Sequence, residues 1–388
     1  MTPEARIAAA AGILDRYLAG EPAEKALVNW GRRSRFAGSG DRAAVRDLVF
    51  DAIRRRRSAA AAGAGESGRG LMIGLLRLSG RAPETLLTGV GHALPPLVDG
   101  EKRCSAPLTE AEGLDIPDWL SGDLRRDLGP GYRSALECLQ TRANLFLRVH
   151  ARRADRESVR LLLAQEDIEA EPCTGSDAAL RVTGGGRRVR NSRLFLDGLI
   201  EIQDASSQAV CDMIPVPAEG VVLDLCAGGG GKSLALAART GRPILAHDID
   251  PNRMRDLPER ARRAGDRINC IPTRELTGHA PFPLVVADVP CSGSGAWRRQ
   301  PEAKWNLTPE ALDRLIGTQR AILGQAAELT RTGGALAFVT CSLLRRENEA
   351  QMEWFLGQYP GWTEKTHRRI VPSADGDGFF VAILEKGN

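Results

Sequence analysis

The chain has 388 residues, 43% hydrophobic and 26% charged, with a formal net charge of +4. That length supports two or three domains with cores of their own, and the composition is that of an ordinary globular protein, not a disordered or fibrous one. No stretch approaches a membrane span, the N-terminus lacks an apolar leader segment, and the eight cysteines contain no C-x-x-C pair. The expectation is a cytoplasmic protein with free thiols, no metal site and no membrane partner.

The charge is unevenly placed. Residues 1–60 carry a net +5 and the remainder a net −1. A basic N-terminal region points to a polyanion partner. A solvated surface explains it equally well, and so does codon bias, since only six of the 53 basic residues are lysine.

Thr2-Pro3 starts a helix, with Thr2 as N-cap and Ile7, Ala10, Ala11, Leu14 and Leu18 on one face. Asp41 is read as the cap of a second helix, whose Val45, Leu48, Val49, Ala52 and Ile53 face a core. It closes with Arg54-Arg55-Arg56-Arg57, cations that favour a helix C-terminus and can also bind phosphates. Ala59 to Gly70 reads as a loop or frayed helix, Leu71 to Leu78 as a short helix, and Pro95-Pro96 to Pro107 as a linker. Residues 1–105 are therefore expected to form an all-helical domain.

From Pro117 the texture changes. A helix to Leu128, a strand Leu145–His150, a helix from Arg156 to Ala164 and short strands at Leu180–Thr183 and Leu199–Ile202 make residues 106–205 a small α/β subdomain. Arg187, Arg188, Arg190 and Arg193 form a second basic cluster, in an RNA-facing loop or simply an exposed hairpin. From Val221 strands and helices alternate, which implies a doubly wound sheet over residues 206–388. Its strands are expected at Val221–Cys226, Ile244–Asp248, Ile268–Ile271, Leu284–Asp288 and Ala335–Thr340, with Gly378–Leu384 antiparallel at the edge.

Three stretches carry chemistry. Gly228-Gly229-Gly230-Gly231 ends a strand and opens a helix, so backbone approaches a ligand with N–H groups free. About 20 residues on, Asp248 ends the next strand, where a carboxylate accepts both hydroxyls of a ribose. Gly231-Lys232-Ser233 hints at a phosphate-binding loop, but the glycine spacing is wrong for one. A glycine turn with a ribose acid suits a nucleoside cofactor without a phosphate chain, such as S-adenosylmethionine. Finally, Asp288-Val289-Pro290-Cys291-Ser292 and Thr340-Cys341-Ser342 each end a strand in a cysteine followed by serine. If those strands are neighbours, both thiols face one crevice.

These motifs resemble those of the Sun-type RNA cytosine-5 methyltransferases. The match runs from about residue 110 to the end. It is carried by Gln203-Asp204-Ala205-Ser206-Ser207-Gln208, Asp224-Leu225-Cys226-Ala227-Gly228-Gly229-Gly230-Gly231-Lys232 and Asp288-Val289-Pro290-Cys291-Ser292-Gly293. It continues through Arg298-Arg299-Gln300-Pro301-Glu302-Ala303-Lys304-Trp305, Thr340-Cys341-Ser342, Glu347-Asn348 and Gly376-Asp377-Gly378-Phe379-Phe380. Arg42 to Phe50 resembles, more weakly, the NusB-like RNA-binding domain of the bacterial RsmB branch.

The resemblance implies a Rossmann-like class I methyltransferase sheet with a NusB-like helical domain before it and a small RRM-like subdomain between. The implied cofactor is S-adenosylmethionine, held by Cys226, Ala227, Gly228–Gly231, Lys232, Asp248, Arg253 and Asp288. The implied partner is RNA, most readily small-subunit ribosomal RNA, with transfer RNA the runner-up and a catalytically weakened assembly factor the alternative class; DNA is not implied, and a monomer is expected. Cys341 would be the attacking thiolate, Cys291 would assist elimination, and Asp288 would contact the cytosine ring. Arg54–Arg57, Arg298 and Lys304 would grip RNA. Cys226 is read as structural or lining the cofactor pocket, and Cys104, Cys138, Cys173, Cys211 and Cys270 as packing. Where the family usually has Ala-Pro-Gly-Gly-Lys this chain has Gly228-Gly229-Gly230-Gly231-Lys232. Where the family tends to place an Asp near the adenine it has Ile271-Pro272-Thr273-Arg274, so adenine recognition would rest on backbone or apolar contacts.

Overall fold

The computed structural model describes residues 1–102 and 108–387, in two compact units. One comprises Met1–Arg142 with Trp297–Asn306, the other Ala143–Ala296 with Leu307–Asn388.

In the first unit, helices Pro3–Leu18, Ala23–Arg33, Ser39–Arg54, Arg56–Ala62 and Gly68–Leu78 enclose Ile7, Leu14, Val45, Val49, Ile53, Leu71 and Met72. Thr2 caps the first helix through Oγ1, which accepts the Ala5 N–H at 3.3 Å. Asp41 is not a cap. Its helix starts two residues earlier, and its carboxylate pairs with Arg6 at 2.8 Å and the N-terminal ammonium at 3.2 Å. The helix Ala23–Arg33 was not expected, because it buries only Ala23, Ala26, Leu27 and Gly31, too small a face to show a period. The low-complexity stretch is a helix contact: a Cβ on Gly74 would sit 1.8 Å from the Ala59 carbonyl, so only glycine lets the two helices meet.

The expected boundary at residue 105 is not where this unit ends. Ten residues from much later in the chain are built into it. Trp305 Nε1 donates to Ile53 O at 2.7 Å, Lys304 Nζ to Arg54 O at 3.0 Å, and Arg54 Nε to Arg298 O at 2.6 Å. Part of the expected linker is also folded: the Arg69 guanidinium donates to Pro95 O and Pro96 O and pairs with Glu101 at 2.7 Å. Residues 103–107, with Cys104 among them, lie outside the described residues.

The second unit contains two sheets. The smaller is antiparallel, in the order β2-β3-β1-β4, with β1 Leu145–Val149, β2 Ala170–Pro172, β3 Ala179–Val182 and β4 Ile200–Ile202. The helix Arg156–Gln165 covers it through Val159 and Leu163. The larger runs β10-β11-β9-β8-β5-β6-β7, with β5 Val222–Asp224, β6 Ile244–Ala246, β7 Ile268–Cys270, β8 Phe282–Asp288, β9 Thr330–Thr340, β10 Trp362–Ile370 and β11 Phe379–Lys386. β5 to β9 are parallel, and β11 is antiparallel to both neighbours. This is a Rossmann-like sheet whose strand order reverses between β5 and β8, the place where a ligand crevice opens at the strands' C-terminal ends. The last strand is not the edge. β10 covers it, and its Lys365, His367, Arg368 and Arg369 give the charged pattern of an edge strand, which hides it from a search for apolar runs.

Candidate active site

The register pairs Asp288 of β8 with Val339 of β9. The two chain segments therefore leave the sheet side by side, and Cys291 Sγ lies 3.4 Å from Cys341 Sγ. Both thiols are free and partly accessible. The hydrogen bond to Cys341, together with burial and the charges of Cys341 and Glu347, holds the Cys291 thiol well above the usual range. Either sulfur can be the donor of this contact, so the two thiols share one hydrogen bond at the mouth of the crevice.

Beneath the thiols lies a fully buried carboxylate, Glu347. Its Oε1 accepts from Ser292 N at 2.8 Å and Gln319 Nε2 at 3.0 Å; its Oε2 accepts from the hydroxyls of Ser292 and Ser342, each at 2.5 Å. The residue after each cysteine is thus tied to one acid. Asn348 adds a second tie, accepting from Thr340 Oγ1 at 2.6 Å and donating to Ser342 O at 2.9 Å. Reading the motifs singly assigned Glu347 no role; the signal was the serine that follows both cysteines.

On the other side of the crevice, the glycine turn leaves β5 and the helix Gly231–Thr240 begins. Gly230 has φ +79°, and a Cβ there would lie 2.2 Å from Leu257 Cδ1, so this turn requires glycine. Asp248 is 4% exposed. Its carboxylate accepts from Gly228 N at 2.9 Å, Asp250 N at 3.0 Å and Arg253 Nη1 at 3.1 Å. Arg253, expected to hold the cofactor, thus pairs with Asp248 at the rim of the site. Lys232, 6% exposed, lies 2.6 Å from Asp288 Oδ2. Burial alone would lower the Lys232 pKa, but Asp288, through its charge and hydrogen bond, together with the charges of Cys211 and Asp224, outweighs it and lifts it to about 12. Ser233 Oγ donates to Asp224 Oδ2 at 2.6 Å. Both side chains that a phosphate-binding loop would need are thus engaged elsewhere.

Beyond Asp248 a cleft of about 420 Å³ is walled by Ile249, Met254, Ile271, Pro272 and Thr273. A glycine cradle, a buried acid and an apolar cleft fit the methionine end, ribose and base of S-adenosylmethionine in turn. Removing the acid in Asp248→Ala should weaken cofactor binding by one or two hydrogen bonds to a charged acceptor, about 1.5–3 kcal/mol each. Unchanged affinity in a calorimetric titration would take Asp248 out of the site.

Burial raises the Asp224 pKa from 3.8 to about 6. A buried acid whose folded pKa is raised binds its proton more tightly in the folded state. The stability it contributes is present below about pH 4 and lost as pH rises through about 6, a cost of about 3 kcal/mol above that window. Asp224→Asn should therefore gain in melting temperature relative to the parent between pH 4 and pH 7. A difference that stays flat with pH would mean another group sets the dependence.

The residues expected to grip RNA are mostly interior. Arg54 is 7% exposed, Arg298 1% and Lys304 3%. Arg54 pairs with Asp51 at 2.6 Å, and burial lowers the Lys304 pKa to about 8. Arg56 pairs with Glu66, and Arg57 binds Asp118 and the Ile116 carbonyl. Arg55 is half-buried at the helix end. Three of the four cations of the run, Arg54, Arg56 and Arg57, are thus spent within their own unit. Cys173 and Cys211 are buried, Cys138 Sγ accepts from Arg298 Nη1 at 3.1 Å, and Cys270, expected to pack, is exposed on the rim of the Asp248 cleft.

Comparison with known proteins gives a consistent result. The family model described as 16S rRNA methyltransferase RsmB/F matches residues 213–385, and the ferredoxin-like domain of RsmF/B-like methyltransferases matches residues 116–188. The ribosomal RNA small subunit methyltransferase B of Pectobacterium atrosepticum is 32% identical over 288 residues, covering 70% of this chain and 66% of that protein. The chain thus spans about two thirds of that relative's length. Two crystal structures share the fold. PH0851 is 22% identical with a TM-score of 0.76, over 100% of this chain and 99% of that one. NSun6 from Pyrococcus horikoshii, solved with SFG, is 16% identical with a TM-score of 0.62, over 70% and 98%.

Proposed function

We propose that this chain, which belongs to the RsmB/F family of S-adenosylmethionine-dependent methyltransferases, methylates carbon 5 of a cytosine in small-subunit ribosomal RNA. The observation that carries the reading is the pair of thiols 3.4 Å apart, just past the C-terminal ends of the neighbouring strands β8 and β9. Carbon 5 of cytosine is a poor nucleophile until a thiolate adds to carbon 6 and makes it enamine-like. The cofactor supplies the electrophilic methyl group.

Cys341 is the nucleophile. Cys291, 3.4 Å away, is placed to accept as a thiolate the proton that carbon 5 loses while the carbon 5–carbon 6 double bond re-forms and the Cys341 sulfur departs. Asp288 stands beside the ring and supports addition at nitrogen 3; Lys232 fixes its orientation from beneath. The target base must be splayed out of the RNA to enter the crevice. With Arg54, Arg56 and Arg57 engaged internally, the exposed Arg187, Arg190 and Arg193 are the better phosphate contacts.

The test is transfer of a labelled methyl group from S-adenosylmethionine to naked 16S RNA and to the small ribosomal subunit, followed by digestion to nucleosides. Label in 5-methylcytidine is expected. Label in any other nucleoside, or in transfer RNA alone, sinks the reading.

A further inference from the structure

The cleft beside Asp248 contains a hydrogen-bond relay that ordinary apolar recognition of a base does not need. His247, next to Asp248 at the end of β6, is 4% exposed. Its Nδ1 lies 2.8 Å from Leu225 O and its Nε2 lies 2.9 Å from Thr273 Oγ1. A carbonyl oxygen only accepts, so Nδ1 carries the proton. In the neutral ring Nε2 is then a lone pair, and the Thr273 hydroxyl must donate its only proton to it. What Thr273 has left is lone pairs. The hydroxyl is locked as an acceptor by a histidine fixed from the far side.

Thr273 is exposed and lines the cleft, whose other hydrogen-bonding side chains among the described residues are Asp248, Arg255 and Cys270. Asp248 belongs to the ribose. Arg255 is 81% exposed and paired with Asp256, and a thiol is a weak partner. The Ile271 N–H is spent on the Ala246 carbonyl. Thr273 is therefore the best-defined polar group there, and an acceptor-only group suits an amino group and opposes a carbonyl.

We propose that Thr273, oriented by His247, reads the 6-amino group of the cofactor's adenine and makes the site select adenine over a 6-oxo purine. This rests on the cofactor site described above, and it departs from the expectation that backbone or apolar contacts hold the base. Thr273 touches the ligand; His247 is a positioning residue.

Calorimetric titration of the full chain tests it, with S-adenosylhomocysteine and with S-inosylhomocysteine, which carries a carbonyl at carbon 6. The unsubstituted protein should bind the adenosyl compound about tenfold more tightly, the scale of one hydrogen bond made against one acceptor–acceptor clash. Thr273→Val keeps the shape and loses the lone pairs. It should weaken the adenosyl compound about tenfold and bring the two ligands within about twofold. Thr273→Ser should keep the preference. A parent protein without preference, or Thr273→Val with the parent's preference intact, overturns the inference. Failure to bind either ligand removes the cofactor site and the inference with it. Selective binding without methylation of any cytosine would sink only the proposed reaction and leave the inference standing.

Discussion

Cys341→Ala should abolish methyl transfer, by about 10⁴-fold or more as when a covalent nucleophile is removed, and should form no bond to RNA. Cys291→Ala should behave differently. Its nucleophile is intact, so it should attack and methylate, then stall as an adduct because release of the sulfur is impaired. With S-adenosylmethionine and substrate RNA the Cys291 variant should give a band of retarded mobility on a denaturing gel, and the double variant none. The asymmetry follows from the assigned roles: Cys341 makes the bond to carbon 6, and Cys291, 3.4 Å away, acts only when that bond breaks. If Cys341→Ala forms the adduct and Cys291→Ala does not, the roles are exchanged. If neither links to RNA, the covalent route is wrong.

Glu347→Ala should be the most destabilising single change near the site. It strips the acceptor from the Ser292 N–H, two serine hydroxyls and Gln319, all in buried surroundings. Each orphaned buried donor costs about 1–3 kcal/mol, and partial relaxation leaves an expected loss of about 3–5 kcal/mol. Glu347→Gln keeps the volume and part of the acceptance, and should lose clearly less. Because both cysteine turns hang from this carboxylate, methyl transfer in the folded fraction of the alanine variant should fall as well. Denaturant unfolding and single-turnover transfer read the two effects separately. A Glu347→Ala protein as stable as its parent would mean the network is not what holds the turns.

The parallel core of the sheet is legible in the sequence because β8 and β9 are near-continuous apolar runs that end in the same Cys-Ser pair. The glycine turn and Asp248 are legible for a similar reason, since backbone geometry restricts which residues fit there. What stays hidden is partnership. Arg54 to Arg57 read as a cation cluster, but their partners include a carboxylate 61 residues away and a carbonyl 244 residues away. Local pattern shows charge and not whether it is spent. β10 stays hidden for the opposite reason: an edge strand protects itself with polar side chains and so looks like a loop. The Thr273 acceptor needs three residues from three chain segments to exist at all.

Trp297–Asn306 has a bearing on descent. A domain strung before an enzyme like a bead can be gained or shed by one recombination event at the linker. Here the segment that begins six residues after Cys291 is part of the helical unit, and Lys304, Trp305 and the Arg298 carbonyl find their hydrogen-bond partners on the helix Ser39–Arg54. A lineage that lost the helices would inherit a catalytic half carrying a lysine and an indole built to bond to backbone that is gone. Loss of the domain therefore demands compensating changes between Ala296 and Leu307, and the helix Ser39–Arg54 and the segment Trp297–Asn306 are expected to diverge together.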